Sequence, residues 1–246
     1  MRLRLLAGVL GFVVAGLYAG SAFGLTFSLD VLDDGASQGS MNQTMMQCSG
    51  AAPRYDCSGT GAAIGNLGID MWNFSLDEDP VVTGTVVVTN NAAVTTHYTL
   101  IFTLGITAPT LPSSLIGGSM QGGTTDGDGN GSTLATFAGS SFYQAQIDGA
   151  TVQALYAAPQ SFSAGAFLST NVPAVSFGTP IPSQPAVAAL TSIGIVLDFT
   201  LTPNDSASFT SNFVVQAVPE PGTALLVGLG MAGFALVSRR RGARAR

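Results

Sequence analysis

S-I-G-I-V-L-D-F-T-L-T-P-N-D-S-A-S-F-T-S-N-F-V-V, Ser192 to Val215, decides the fold class. Ile193, Ile195, Leu197, Phe199 and Leu201 fall on one side of an extended chain. Ser192, Gly194, Asp198, Thr200 and Thr202 fall on the other, with Val196 the exception. Apolar residues at period two mark a half-buried strand. Pro203-Asn204-Asp205-Ser206 then turns the chain, because proline fixes φ and Asn and Asp tolerate tight bends. Ala207, Phe209, Ser211, Phe213 and Val215 form the next alternating set.

The same pattern recurs upstream. Leu25, Phe27, Leu29 and Val31 alternate with Thr26, Ser28 and Asp30. Val82, Gly84, Val86 and Val88 alternate with Thr83, Thr85 and Thr89 until Asn90-Asn91 breaks the run. Tyr98, Leu100, Phe102, Leu104 and Ile106 follow. Phe142–Ile147 and Thr151–Tyr156 flank Asp148-Gly149, a strong hairpin signal. These runs predict seven or eight strands, each with one wet and one dry face, as in antiparallel sheets. Two such sheets burying their dry faces make an all-β antiparallel sandwich, immunoglobulin-like or jelly-roll-like. Thr85–Ile106 and Ile193–Val215 resemble paired strands of exported immunoglobulin-like domains, a likeness of fold alone. Asp33–Asn66, Thr107–Ser132 and Ala157–Pro185 read as less regular, the last because it carries five prolines.

Charge is distributed unevenly. All eight basic residues are arginines, and only Arg54 lies between Arg4 and Arg239. Setting aside the seven terminal arginines leaves one cation against 14 acids, a charge of −13. Such a body has no means of contacting nucleic-acid phosphates. The first 24 residues read as a signal peptide: Arg2 and Arg4, then the apolar stretch Leu5–Tyr18, then Ala22-Phe23-Gly24 as a small-x-small site before Leu25. Cleavage by signal peptidase is expected after Gly24.

At the other end, Thr223–Val237 is an uncharged run of 15 residues, extended to 17 by Gly222 and Ser238. That is the short end of what spans a bilayer as a helix. Five arginines follow it. Each costs about 2.5–3.5 kcal/mol at a membrane centre, so together they oppose passage by more than about 12 kcal/mol. The expectation is a stop-transfer helix over residues 222–238 with its cationic end in the cytoplasm. Ahead of it, Val218-Pro219-Glu220-Pro221 can continue neither strand nor helix. It makes an extended tetrapeptide suited to a processing enzyme.

Pro219-Glu220-Pro221, the glycine-bearing apolar run and Arg239-Arg240-Arg241, in that order, resemble the PEP-CTERM sorting signal of exported proteins from Gram-negative bacteria that make extracellular polysaccharide. The resemblance covers about 30 residues. It implies recognition and cleavage by exosortase, a membrane-embedded, cysteine-dependent, transpeptidase-like enzyme. The chain would then be anchored transiently in the inner membrane and delivered to the cell surface or biofilm matrix. The organisation expected is signal peptide 1–24, sandwich 25–217 and sorting signal 218–246.

Within the body, Cys48 and Cys57 enclose eight residues and, in an exported chain, predict a disulfide contributing about 2–3 kcal/mol. Asp126, Asp128 and Asn130 alternate with glycines as in the first half of a calcium loop. Phe137 stands where an EF-hand needs a bidentate glutamate, so any calcium site would be of the millimolar class. His97, the single histidine, shares a face with Thr95, Thr99 and Thr103 and reads as a solvated strand residue. Asp77-Glu78-Asp79 reads as a charged turn, and Trp72 as a core residue. The expected role is therefore non-enzymatic, structural or adhesive, with extracellular polysaccharide as a candidate partner and no obligatory cofactor. The alternatives are a carbohydrate-binding module, which needs a row of exposed aromatics, a calcium-dependent adhesin, which needs Asp126, Asp128 and Asn130 to converge, and a secreted hydrolase, which needs acids in a cleft.

Overall fold

The computed structural model describes residues 26–106 and 111–218, together with Val227, Leu229 and Met231, which are helical. The expected signal peptide, the cleavage residues Ala22, Gly24 and Leu25, the tripeptide Pro219–Pro221, most of the expected span 222–238 and Arg239–Arg241 lie outside the described residues. Among the described residues, no helix is long and apolar enough to cross a membrane.

The body is all-β. Its strands are β1 (Phe27–Asp33), β2 (Ala36–Asn42), β3 (Cys48–Ala51), β4 (Arg54–Ile64), β5 (Leu67–Asp77), β6 (Val81–Asn90), β7 (Thr96–Gly105) and β8 (Ser114–Thr125). There follow β9 (Ser132–Ala135), β10 (Ser141–Ile147), β11 (Ala150–Ala157), β12 (Ser161–Ala164), β13 (Ser169–Phe177), β14 (Gln184–Ala186), β15 (Ser192–Leu201) and β16 (Ser206–Ala217). One sheet runs β11-β10-β15-β7-β1-β2, with β9 beside β15 and β12 beside β9. The other runs β13-β8-β16-β6-β5-β4-β3, with β14 on β8.

The two alternating runs that resemble paired strands pair with each other, not within themselves. β6 and β7 lie in different sheets, and so do β15 and β16. β7 pairs with β15 while β6 pairs with β16, so two arches stack, each crossing the sandwich at its bend. The physical reason is the dry face. An arch sets the inward residues of its two strands against one another, and Phe199 of β15 meets Phe209 of β16 at 4.8 Å between ring centroids. Phe74 and Phe102 bridge the sheets in the same way at 4.7 Å. Such tilted aromatic pairs add to the burial that holds two sheets together. The inward residues of β1, β7 and β15 are essentially fully buried, and so is Val196.

Asn90 ties the arches at their bends. It is fully buried, accepts from the Tyr98 hydroxyl (2.7 Å) and the Ala92 amide (2.9 Å), and donates to the carbonyls of Leu201 (2.8 Å) and Val94 (3.0 Å). Its backbone exchanges bonds with the other bend, Asn90 N–H to Asp205 and Asn204 N–H to Asn90. A buried amide with its donors and acceptor satisfied fixes one arrangement.

Three stretches expected to be irregular contain strands. Asp33–Asn66 holds β2, β3 and all of β4; Thr107–Ser132 holds β8; Ala157–Pro185 holds β12, β13 and the start of β14. Glycine conceals β8 in the sequence, because Gly117, Gly118, Gly122 and Gly123 interrupt its alternation. The structure needs the missing side chain: a Cβ on Gly122 would stand 2.3 Å from the carbonyl oxygen of Ser208 on neighbouring β16. Pro173 is tolerated because β13 is an edge strand with a bulge between Val172 and Val175.

Candidate functional site

The body hands on its chain at the end of β16. Val214 pairs with Val81, the Val215 amide donates to Pro80 (3.0 Å), and Gln216 and Ala217 pair with Leu115 and Ser114 of β8. A last bond, Val218 N–H to Ser113 (3.1 Å), fixes the point of departure. Beside it lies a groove of about 560 Å³ walled by Val81, Leu111, Pro182, Val215 and Ala217, with Arg54, Asp77 and Asp79 at its polar side. Arg54 is exposed and pairs with Asp77 at 2.9 Å. The Asp79 amide donates to Asp77, and the Tyr55 hydroxyl donates to Glu78 (3.3 Å). The acidic trio is thus a tied turn between β5 and β6.

Comparison with protein families matches residues 217–241 to the PEP-CTERM protein-sorting motif. The chain carries this sorting signal. The matched segment begins at Ala217, the last residue of β16, so the motif starts where the sandwich stops. It supports export, direction to the cell surface and processing by exosortase. Among curated proteins the comparison finds no match.

Asp126 and Asp128 of the candidate calcium loop do converge, and Asp205 converges with them. One carboxylate oxygen from each lies within 4.8 Å of the others. Asn130 lies against this group, its side-chain amide donating to Asp128 (2.9 Å). Sequence reading missed Asp205 because it lies 79 positions beyond Asp126 and reaches the loop only through the pairing of β16 with β8. The carboxylates already have donors. Asp126 accepts the amides of Gly129, Gly131 and Phe167; Asp205 accepts Gly127 N–H and the Thr202 hydroxyl; Asn204 donates to Asp128. The Phe167 amide, followed by those of Gly131 and Gly129, holds the Asp126 carboxyl below its usual range against the opposing effect of burial. Burial, with the charges of Asp126 and Asp128, pushes Asp205 up.

The hairpin at Asp148-Gly149 has positive φ at both residues, 50° and 78°, as a type I′ turn requires. Burial opposes ionisation of Asp148, but the amides of Ser192, Thr191 and Leu190 outweigh it and hold the carboxyl low.

His97 corrects the expectation of a solvated residue. Its side chain is only 10% exposed, because Phe137 stacks on the ring at 3.8 Å. Nε2 meets Asp198 at 2.6 Å, and the Ser140 hydroxyl donates to the other oxygen of Asp198 (2.7 Å). The acid therefore stands between serine and histidine. A hydrolase needs the imidazole in that place, where it can take the nucleophile's proton.

Cys48 and Cys57 face each other across β3 and β4 and are disulfide-bonded. Trp72 is buried and donates to the Met46 carbonyl (2.9 Å). Tyr55 and Tyr143 are buried too. Among the described residues the exposed phenylalanines are Phe137 and Phe167, on separate loops, and make no row for stacking sugars.

Proposed function

We propose that this is a non-enzymatic protein of the cell surface or biofilm matrix, whose β-sandwich plays a structural or adhesive part. Its C-terminal signal anchors it in the inner membrane until exosortase acts in the Pro219–Pro221 region. The observation that carries this reading is the junction at Ala217, where a central strand, paired with β8 to its last residue, passes directly into the sorting motif. The body is braced up to the point of processing, and the tail can leave without taking any of the core with it. Signal peptidase cuts after Gly24, and extracellular polysaccharide is the surrounding partner.

The test is mass spectrometry of the C-terminal peptide of the protein recovered from outside the native host. A chain ending near Pro219–Pro221 supports the reading. A chain ending in Arg246 and found only in the inner membrane makes the tail a permanent anchor and refutes it.

A second reading, calcium-dependent stiffening of the loop end, is favoured by the approach of Asp126, Asp128 and Asp205. It predicts a melting temperature that rises with millimolar calcium and stops rising in Asp128→Asn. An unchanged melting temperature would dismiss it.

A further inference from the structure

His97 holds the only buried side-chain nitrogen or oxygen among the described residues that lacks a hydrogen-bond partner, its Nδ1. In a neutral ring that donates from Nε2 to Asp198, Nδ1 keeps a lone pair. The group it faces is the carboxylate of Asp34, also acceptor-only, with Oδ1 at 3.7 Å. A buried, unpartnered nitrogen lone pair beside a carboxylate favours a cation between them. At 3.7 Å the gap is too long for a hydrogen bond. It is the right width for one metal ion: bonds of about 2.1 Å to each ligand place nitrogen and oxygen that far apart at an angle of about 120°.

We propose that His97 Nδ1 and Asp34 bind a borderline divalent transition-metal ion of the Zn²⁺ class, with water completing its coordination. Three features of the surroundings fit a ligand histidine. The other ring nitrogen is held by a carboxylate, the arrangement that orients metal-bound imidazoles and raises their basicity. Ser140 in turn fixes Asp198, and Phe137 fixes the ring plane. The backbone bond from Asp34 N–H to the His97 carbonyl (3.0 Å) keeps the turn of β1 and β2 beside the ring, while the Asp34 side chain stays mostly exposed for the ion to enter. Imidazole as a ligand selects against calcium and magnesium, so this site is chemically distinct from the acidic loop.

Because His97 is the only histidine, an untagged, ¹⁵N-labelled chain gives a one-ring NMR spectrum. Zn²⁺ titrated at neutral pH is expected to shift Nδ1 strongly and Nε2 little, saturating at one equivalent. Asp34→Asn should weaken that binding at least tenfold, and Asp128→Asn should leave it unchanged. An Nδ1 signal unmoved by millimolar Zn²⁺, or equal binding by Asp34→Asn, overturns the proposal. So does a ring found protonated on both nitrogens at neutral pH, since a proton then occupies the gap.

Discussion

Replacing Asn90 with alanine tests whether the paired arches depend on one buried amide. The truncation removes four hydrogen bonds, but their losses are unequal. Val94 is exposed and Ala92 is half-buried, so water can replace the amide there at little cost. The Tyr98 hydroxyl and the Leu201 carbonyl are in fully buried residues; both lose their bond to Asn90, and Tyr98 is left with Thr96 alone. Each such buried loss costs about 1–3 kcal/mol, giving about 4 kcal/mol in all. For a body of this size that is a fall in melting temperature of about 10 °C. Urea unfolding of the chain from Leu25 to Val218 should show a lower midpoint with an unchanged slope. A second substitution sharpens the test. Tyr98→Phe alone should cost about 1 kcal/mol, but in the Asn90→Ala background the hydroxyl has already lost Asn90 and its removal should cost less. A loss below about 1 kcal/mol for Asn90→Ala, or an equal cost of Tyr98→Phe in both backgrounds, would refute the reasoning.

Acid should weaken the body in two places. Asp126 and Asp148 are held below the usual carboxyl range, so their contribution is full above the unfolded range and is lost as pH falls through their folded values; Asp205, held above, works in the opposite sense. Unfolding midpoints measured from pH 7 to pH 3 should therefore fall less steeply in Asp148→Asn than in the parent, and a parallel fall would be inconsistent with this account. Cys48→Ala with Cys57→Ala should lower stability by about 2–3 kcal/mol, read from urea midpoints with the native chain kept oxidised. Gly122→Ala should destabilise by about 1–3 kcal/mol, because its Cβ meets backbone and not a movable side chain; melting temperature reports it directly.

The alternating runs of β1, β6, β7, β15 and β16 were legible because most inward residues are bulky and most outward ones polar. Asp148-Gly149 was legible because a type I′ turn is a local matter. A second Asp-Gly turn, Asp34-Gly35, has the same signs of φ and was passed over, because β2 after it is A-S-Q-G-S-M-N and presents no apolar face. β8 went unread for a related reason, since glycine serves close approach there and erases the period. The sorting signal was legible as residue types in order. Its companions were not: Asp205 reaches Asp126, and Asp34 reaches His97, only after strands distant in sequence have paired. Nor could alternation tell an arch from a hairpin, because both present the same period two, and only the partner strands decide.

β16 is both the final strand of the body and a central one, between β8 and β6. During export from the N-terminus that order has a consequence in time. Until Ser206–Ala217 has emerged, the second sheet exists as two separate halves, and Phe209 and Phe213 are missing from the core. The next residues to follow are those of the sorting tail. Completion of the sandwich and emergence of the sorting motif are thus nearly simultaneous, the last core strand coming immediately before the motif. The order in which the core is completed and the sorting motif appears is set by the position of one strand in the sequence.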